Sequence, residues 1–378
     1  MDVLLAKLAE AARLCQPVDM VELFQFATFD IMGDLTFGQP LGLLASNRYS
    51  AWVQAVFNSI RVIPVAQLIQ HYPLLNALFN LVEPKSVRDM KYNHFRHSAD
   101  RVDKRLQRGS DEPDIWNLVL SAQDDLRLSL DEMYCHADVF MLAGSETTGT
   151  AMAGFTWFML NNPEKLARLT AELRGAFAHD DDITMENTAS LKYLNACTPN
   201  ATPFQICVSR LVSRPRIADR KVCLVNPGIQ ESLRLYPPVP VGVPRAVPLP
   251  GRTIMGRWVA GGTRVSVHHY ATYRSPSNFV DPDAFAPERW LRHDGAGASN
   301  DYEMDRREAA QPFAYGPRNC LGQNMALHEM RLILARLFRK FNLKLREMNT
   351  PEDAVPWTDQ RAFILWEKKP LVCRIAAS

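Results

Sequence analysis

The sharpest chemical motif in the sequence is Phe313-Ala-Tyr-Gly316-Pro-Arg318-Asn-Cys320-Leu-Gly322, of the pattern F-x-x-G-x-R-x-C-x-G. A helix is predicted directly after it, from Asn324 to Lys340, with Met330, Ile333, Leu334, Leu337 and Phe338 facing inward. Cys320 therefore lies on a loop just before a helix N-terminus. Backbone N–H groups and the helix dipole there favour a thiolate. Gly316 permits a tight turn, and Gly322 lets a flat ligand approach the backbone. The Phe313 ring can shield the sulfur, and Arg318 can pair an anionic group on the ligand. A lone cysteine near a helix is more often a small buried hydrophobe; the four fixed neighbours reverse that reading here.

A second tract is chemically odd for its setting. Residues 129–161 predict a long apolar helix carrying Met133, Val139, Phe140, Leu142, Met152, Phe155, Trp157 and Phe158. Ser129 and Glu132 form a capping box at its start, and Asn161-Asn162-Pro163 stops it, with Asn162 as cap of the next helix. Its centre reads Ala143-Gly144-Ser145-Glu146-Thr147-Thr148-Gly149. Two glycines, a carboxylate and β-branched hydroxyls are poor helix-interior residues. The bland reading is a local bend, since a threonine can bond the carbonyl one turn back. The alternative is chemistry, because a buried polar group in a helix interior needs a reason. Glu231 and Arg234, three apart on a further helix, can pair; by itself such spacing usually marks a surface helix.

Taken together, these motifs resemble the cytochrome P-450 superfamily. The Cys320 loop is similar to the haem-ligand loop of that family. Ala143-Gly-Ser-Glu146-Thr147-Thr is similar to its oxygen-activation tract, Glu231-Ser-Leu-Arg234 to its E-x-x-R helix, and Pro287-Glu-Arg289-Trp290 to its P-E-R-W segment, in the family's order. FATFDIMGDLTFG and YPPVPVGVPR further resemble fungal secondary-metabolite members such as the isotrichodermin hydroxylases. The resemblance implies a mainly α fold with a small β portion. It implies haem b (iron protoporphyrin IX) with Cys320 as its axial thiolate ligand, and Arg318 and Arg245 at the propionates. Glu146 and Thr147 would be an acid–alcohol pair relaying protons. Glu231 and Arg234 would lock with Arg289 to hold the haem face of the fold. Phe140, Ala143, Gly144, Val239, Val241 and Val243 would line the substrate pocket. The implied activity is monooxygenation of a hydrophobic small molecule in fungal secondary metabolism, with electrons from NADPH–cytochrome P-450 reductase. Trp357-x-x-x-Arg361 is similar to the family's W-x-x-x-R propionate motif but lies beyond the haem loop, so it reads as coincidence.

Two departures accompany the resemblance. It starts at about residue 19, which implies an N-terminally truncated family domain over 1–378. Residues 198–228 hold four prolines and no sustained period. Without them the apolar positions 191, 194, 198 and 202 fall on one helix face, so 198–228 reads as an insertion or retained intron that splits a helix. The rival reading is a non-catalytic remnant that binds haem poorly. A lesser rival, an isomerase or dehydratase that needs no O₂, is disfavoured by Glu146-Thr147.

Composition is consistent with an enzyme of this kind. The 378 residues are 47% hydrophobic and 22% charged, which excludes a disordered chain. A net charge of +2 argues against a nucleic-acid partner. Seven cysteines with no CxxC pair point away from zinc ribbons and disulfide frameworks and toward a reducing compartment. No run of about 18 apolar residues is present; the family is endoplasmic-reticulum-associated, and this chain without an anchor is expected to be cytosolic or peripheral. Further helices are predicted over Asp19–Phe37, Ser50–Ile69 and Pro84–Gln107, and a strand over TRVSVHHYA. His94 and His97 read as a solvated helix face, and His268-His269 as packing or strand-edge residues.

Overall fold

A computed structural model describes all residues except 51, 55–56, 58–62, 83, 110–113, 121–127, 191–224, 292–299 and 347–354. In chain order the helices and strands are α1 Asp2–Arg13, β1 Val18–Asp19, α2 Met20–Phe37, α3 Leu43–Ser46, α4 Ile63–His71, α5 Pro73–Val82, α6 Lys85–Gln107, α7 Ile115–Leu120 and α8 Leu130–Leu160. They continue with α9 Pro163–Ala176, α10 Met185–Ser190, α11 Val225–Leu235, β2 Arg245–Ala246, β3 Gly251–Ile254, β4 Arg257–Ala260 and β5 Arg264–Val265. The last are α12 His269–Tyr273, α13 Gln323–Lys340, β6 Phe341–Leu345 and β7 Val372–Ala377. The expected mainly α class with small sheets is what the chain adopts. Two compact units are formed: residues 1–153 with 345–375, and residues 154–344 with 376–378.

In the first unit, α2 is the core helix. Asp19 caps it, its Oδ1 accepting from Val21 N at 2.9 Å. The same oxygen accepts from Leu371 N at 2.9 Å, beside the antiparallel pairing of β1 with β7 that sets Val18 opposite Cys373. Gly38, at φ +64°, closes the helix in the left-handed conformation that a side chain disfavours. The small residues of α8 explain themselves against α2. A Cβ at Gly144 would come within 2.5 Å of Met32 Sδ. A Cβ at Gly149 would lie 3.4 Å from Thr28 Oγ1, and Ser145 Oγ bonds the Thr28 carbonyl. The tract stays helical throughout, and the Thr147 hydroxyl bonds the Ala143 carbonyl one turn back. Ser129 and Glu132 form the predicted capping box, Glu132 Oε2 accepting from Ser129 N at 2.8 Å.

In the second unit, α13 packs on α9, α10 and α11. Its Met330, Ile333, Leu334, Leu337 and Phe338 are all buried, as their spacing predicts. β3 and β4 form a hairpin, and β2 pairs with β5.

Several expectations are corrected. Asn162 occupies the N-cap position of α9 with Pro163 at its first position, as expected, but its side chain makes no cap bond; Nδ2 donates instead to the Phe158 carbonyl at 2.7 Å at the end of α8. The strand predicted over 263–271 stops at Val265, and His269 begins α12. His269 is buried, stacks on Tyr273 and places Nδ1 3.0 Å from the Val239 carbonyl, so it is a packing residue. His97 is not on a solvated face: it is half-buried and stacks on Trp52 with centroids 4.5 Å apart. The side chain of His94 lies outside the described residues. So does most of the helix predicted over Ser50–Ile69 before α4 begins. The proposed insertion 198–228 also lies outside them, apart from 225–228, which form the first turn of α11.

Candidate active site

The Cys320 loop belongs to the second unit. The Cys320 N–H donates to the Phe313 carbonyl at 2.8 Å and draws the loop closed. The reversal passes through Ala314 (φ 60°) and Gly316 (φ 89°). A Cβ at Gly316 would meet nothing within 4 Å, and one at Gly322 only Met325 Cε at 3.9 Å. Cys320 and Arg318 are exposed beside these open backbone faces. Arg245, at the start of β2, donates through Nη2 to the Arg318 carbonyl at 3.0 Å, so the two expected propionate partners are neighbours. A thiol, two guanidiniums and uncrowded glycine backbone suit a flat, anionic, metal-bearing group. Desolvation pushes the Cys320 thiol up although the residue as a whole is exposed; the Gly322 N–H pulls the other way and loses. The thiolate expected from the helix dipole is therefore not favoured by the loop alone, because the start of α13 offers the sulfur too little against that desolvation.

The same unit joins the three expected structural charges. Arg234 grips Glu231 through Nε and Nη2 at 2.9 and 2.8 Å. Arg289 Nε reaches Glu231 Oε1 at 2.9 Å, and Trp290 Nε1 reaches Oε2 at 2.8 Å. The Ala286 N–H adds a further bond at 2.9 Å. Asp305, with no signal in the sequence, pairs with Arg289 and makes the four charges balance. Arg234 also donates to the carbonyls of Tyr273 and Ala284 at 2.7 and 3.0 Å, which ties α11 to the chain running toward the Cys320 loop. Glu231, Arg234, Arg289 and Asp305 have side chains with no solvent exposure.

Glu146 and Thr147 belong to the first unit and turn to different partners. The Thr147 hydroxyl donates to the Ala143 carbonyl at 2.6 Å. The Glu146 carboxylate is fully buried; Lys368 Nζ holds Oε1 and Gln25 Nε2 holds Oε2 at 3.0 Å. Burial raises its pKa, against Lys368, Gln25 and Thr150, which lower it. Sequence reasoning missed Lys368 and Gln25, which lie 222 and 121 residues away and carry no motif.

The expected pocket residues are mixed. Phe140 is half-buried and stacks on His136. Ala143 is exposed, and Gly144 is closed over by Met32. Val239 and Val241 are half-buried, and Val243 is exposed. Trp357 and Arg361 are engaged locally: Trp357 Nε1 donates to the Lys369 carbonyl at 2.9 Å, and Arg361 pairs with Glu367 at 2.6 Å. Among the described residues no cluster of three metal-ligating side chains occurs, and no helix is long and apolar enough to cross a membrane.

A mainly helical chain with a cysteine loop ahead of a packed helix and a buried Glu–Arg–Arg lock has the class features of a haem-thiolate protein. The cytochrome P450 family model matches residues 1–198 and 212–374, and the chain belongs to that family. It is 42% identical over 95% of its length to the cytochrome P450 monooxygenase FUM2 of Gibberella moniliformis, covering 68% of that protein. It is 38% identical over 99% of its length to the monooxygenase efuB of Hormonema carpetanum, covering 67%, and 36% identical over 94% to averantin hydroxylase of Aspergillus parasiticus, covering 64%. The chain thus spans about two thirds of the length of these relatives. Membership makes it a haem enzyme of the monooxygenase class, which works with a redox partner on hydrophobic substrates.

Proposed function

We propose that the protein inserts one oxygen atom of O₂ into a hydrophobic small molecule of fungal secondary metabolism. The other atom leaves as water, and NADPH supplies two electrons through NADPH–cytochrome P-450 reductase. The observation that carries this reading is the closed, exposed Cys320 loop with Arg318 and Arg245 beside it. Haem b, when bound, supplies the redox iron at which dioxygen is activated. Cys320 Sγ is its protein ligand, and Phe313 covers that sulfur. Arg318 and Arg245 take the propionates as charge-assisted partners, and Gly316 and Gly322 give the ring clearance. Glu231, Arg234 and Arg289 fix the frame on which the loop is carried. Glu146 and Thr147 hold and move protons on α8. The proposed substrate contacts are Phe140 and Ala143 on α8 and, in the second unit, Val239, Val241 and Val243; Gly144, closed over by Met32, packs against α2 instead. The domain runs over 1–378; of the insertion expected over 198–228, only 199–211 lie outside the family match, and 225–228 belong to α11.

The test is Cys320→Ala in the haem-loaded protein. The variant should lose the thiolate-type spectrum of the reduced CO complex and all product formation. Cys320 is exposed, so the fold should survive within about 0.5 kcal/mol. A retained thiolate-type spectrum would mean that another residue is the ligand.

A further inference from the structure

We propose that Lys368 is a positioning residue for the Glu146–Thr147 pair: with Gln25 it takes both oxygens of the Glu146 carboxylate and pins it on a side of α8 that Thr147 does not share. This rests on the reading of Glu146 and Thr147 as proton-handling groups.

Geometry supports the assignment from several directions. Successive helical residues point about 100° apart, and Thr147 bonds back to Ala143 while Glu146 is held by α2 and by the segment preceding β7. Lys368 is itself fixed. Its side chain is 5% exposed, its Nζ also reaches Thr150 Oγ1 at 3.1 Å, and it lies 5.8 Å from the centroid of the Phe57 ring. The Thr150 hydroxyl in turn donates to the Glu146 carbonyl at 2.8 Å. On the other side, Tyr49 donates to Gln25 Oε1, so the amide cannot rotate without losing a bond. Both Glu146 oxygens are engaged by Lys368 and Gln25, while the Thr147 hydroxyl is engaged by the Ala143 carbonyl.

The ionisable neighbours on the packed elements are Asp19 at the cap of α2, Glu22 in its first turn, and Tyr49. Desolvation raises all three, and the acids around Tyr49 push it further, which keeps the phenol neutral. Lys368 is the cation that meets Glu146. Without it, desolvation would act on the acid with much less opposition. Removing it should therefore push the Glu146 carboxyl further up than burial already does.

The experiment compares Lys368→Met, Lys368→Arg and Lys368→Met/Glu146→Gln with the parent, all haem-loaded. Infrared absorption reads protonated carboxyl, and the split of NADPH electrons between product and peroxide reads coupling. Lys368→Met should gain a protonated-carboxyl absorption at pH 7 that fades as pH rises and is missing from the double variant. Its coupled turnover should fall about 10²-fold, and Lys368→Arg should restore both readouts. No new absorption in Lys368→Met would overturn the proposal. An absorption with unchanged coupling would overturn it through the proton-handling reading beneath it. If Lys368→Met does not fold, the double variant should, since it buries no lone charge. A double variant that also fails makes Lys368 merely structural and sinks the idea.

Discussion

Glu231 and Glu146 are both carboxylates with no solvent exposure, but they are held very differently. In the second unit five N–H groups converge on Glu231, from Arg234, Ala286, Arg289 and Trp290, all within 59 residues along the chain. In the first unit Glu146 has one ammonium and one amide, brought from 222 and 121 residues away. A carboxylate surrounded by fixed guanidinium and backbone donors has no low-cost way to change its charge or place. Glu146 depends on one lysine and one carboxamide, each held in turn by other side chains, so losing either leaves one oxygen without that partner. The difference is between a carboxylate whose charge is fixed by many donors and one whose charge hangs on a single cation. In neither case is burial alone informative; the number and stiffness of the donors decide.

The comparison breaks first at Glu231→Gln. The substitution leaves Arg234 and Arg289 buried with Asp305 as the one carboxylate between them. Removing one partner of a buried ionic network costs about 3–5 kcal/mol, a large part of the roughly 5–15 kcal/mol that hold a domain. Urea unfolding should show that loss, together with release of haem. A change under ~1 kcal/mol, the size expected of an exposed pair, would mean that the network is ornamental.

A third buried acid sharpens the contrast. Glu329 lies on α13, and among the described residues neither of its oxygens has a hydrogen-bond partner. Burial alone pushes it from 4.5 up to about 8. The folded chain therefore keeps this proton while the unfolded chain has lost it. Stability is fully retained below pH 4.5 and falls as pH rises toward 8, by on the order of 3 kcal/mol at pH 7 from this group. Glu329→Gln should flatten that part of the pH dependence, read as the urea midpoint between pH 5 and 8. An unchanged slope would show that Glu329 finds a partner in solution.

What could be read in advance follows the same division. The Glu231–Arg234–Arg289 lock was legible because it is built from two short motifs, and α13 because its apolar stripe follows the helical period. The Cys320 loop was legible by residue type, and its turn through Gly316 by the conformation only glycine adopts freely. Lys368 was not legible: it sits in Glu367-Lys368-Lys369-Pro370, whose charges read as solvated surface, and only tertiary packing turns it inward. Asp305 was missed for the same reason. Asn162 was legible as the N-cap position of α9, but not its side-chain partner, because the end of α8 offers its amide the Phe158 carbonyl. Helix-dipole reasoning at Cys320 leaves out one opposing cause that the sequence does not show, desolvation, which pushes the free thiol up.

The smallest expected effect on the fold, and the most specific on chemistry, belongs to Thr147. Its hydroxyl bonds only its own helix, donating to Ala143 O at 2.6 Å, and the residue is half-buried. Removing such a back-bond should leave stability within about 0.5 kcal/mol, in contrast to Glu231→Gln. If the hydroxyl passes protons when it leaves that carbonyl, Thr147→Ala should keep haem and substrate binding. It should divert NADPH electrons into peroxide, with coupled turnover down about 10²-fold, some 2.7 kcal/mol of barrier. Thr147→Ser keeps the hydroxyl on the same helix and should recover most of the coupling, whereas Thr147→Val keeps the shape and should not. Measuring NADPH consumed, peroxide released and product formed in the same reaction separates these cases. Equal coupling in the alanine, valine and parent proteins would assign Thr147 to helix packing and leave the proton path to be sought elsewhere on α8.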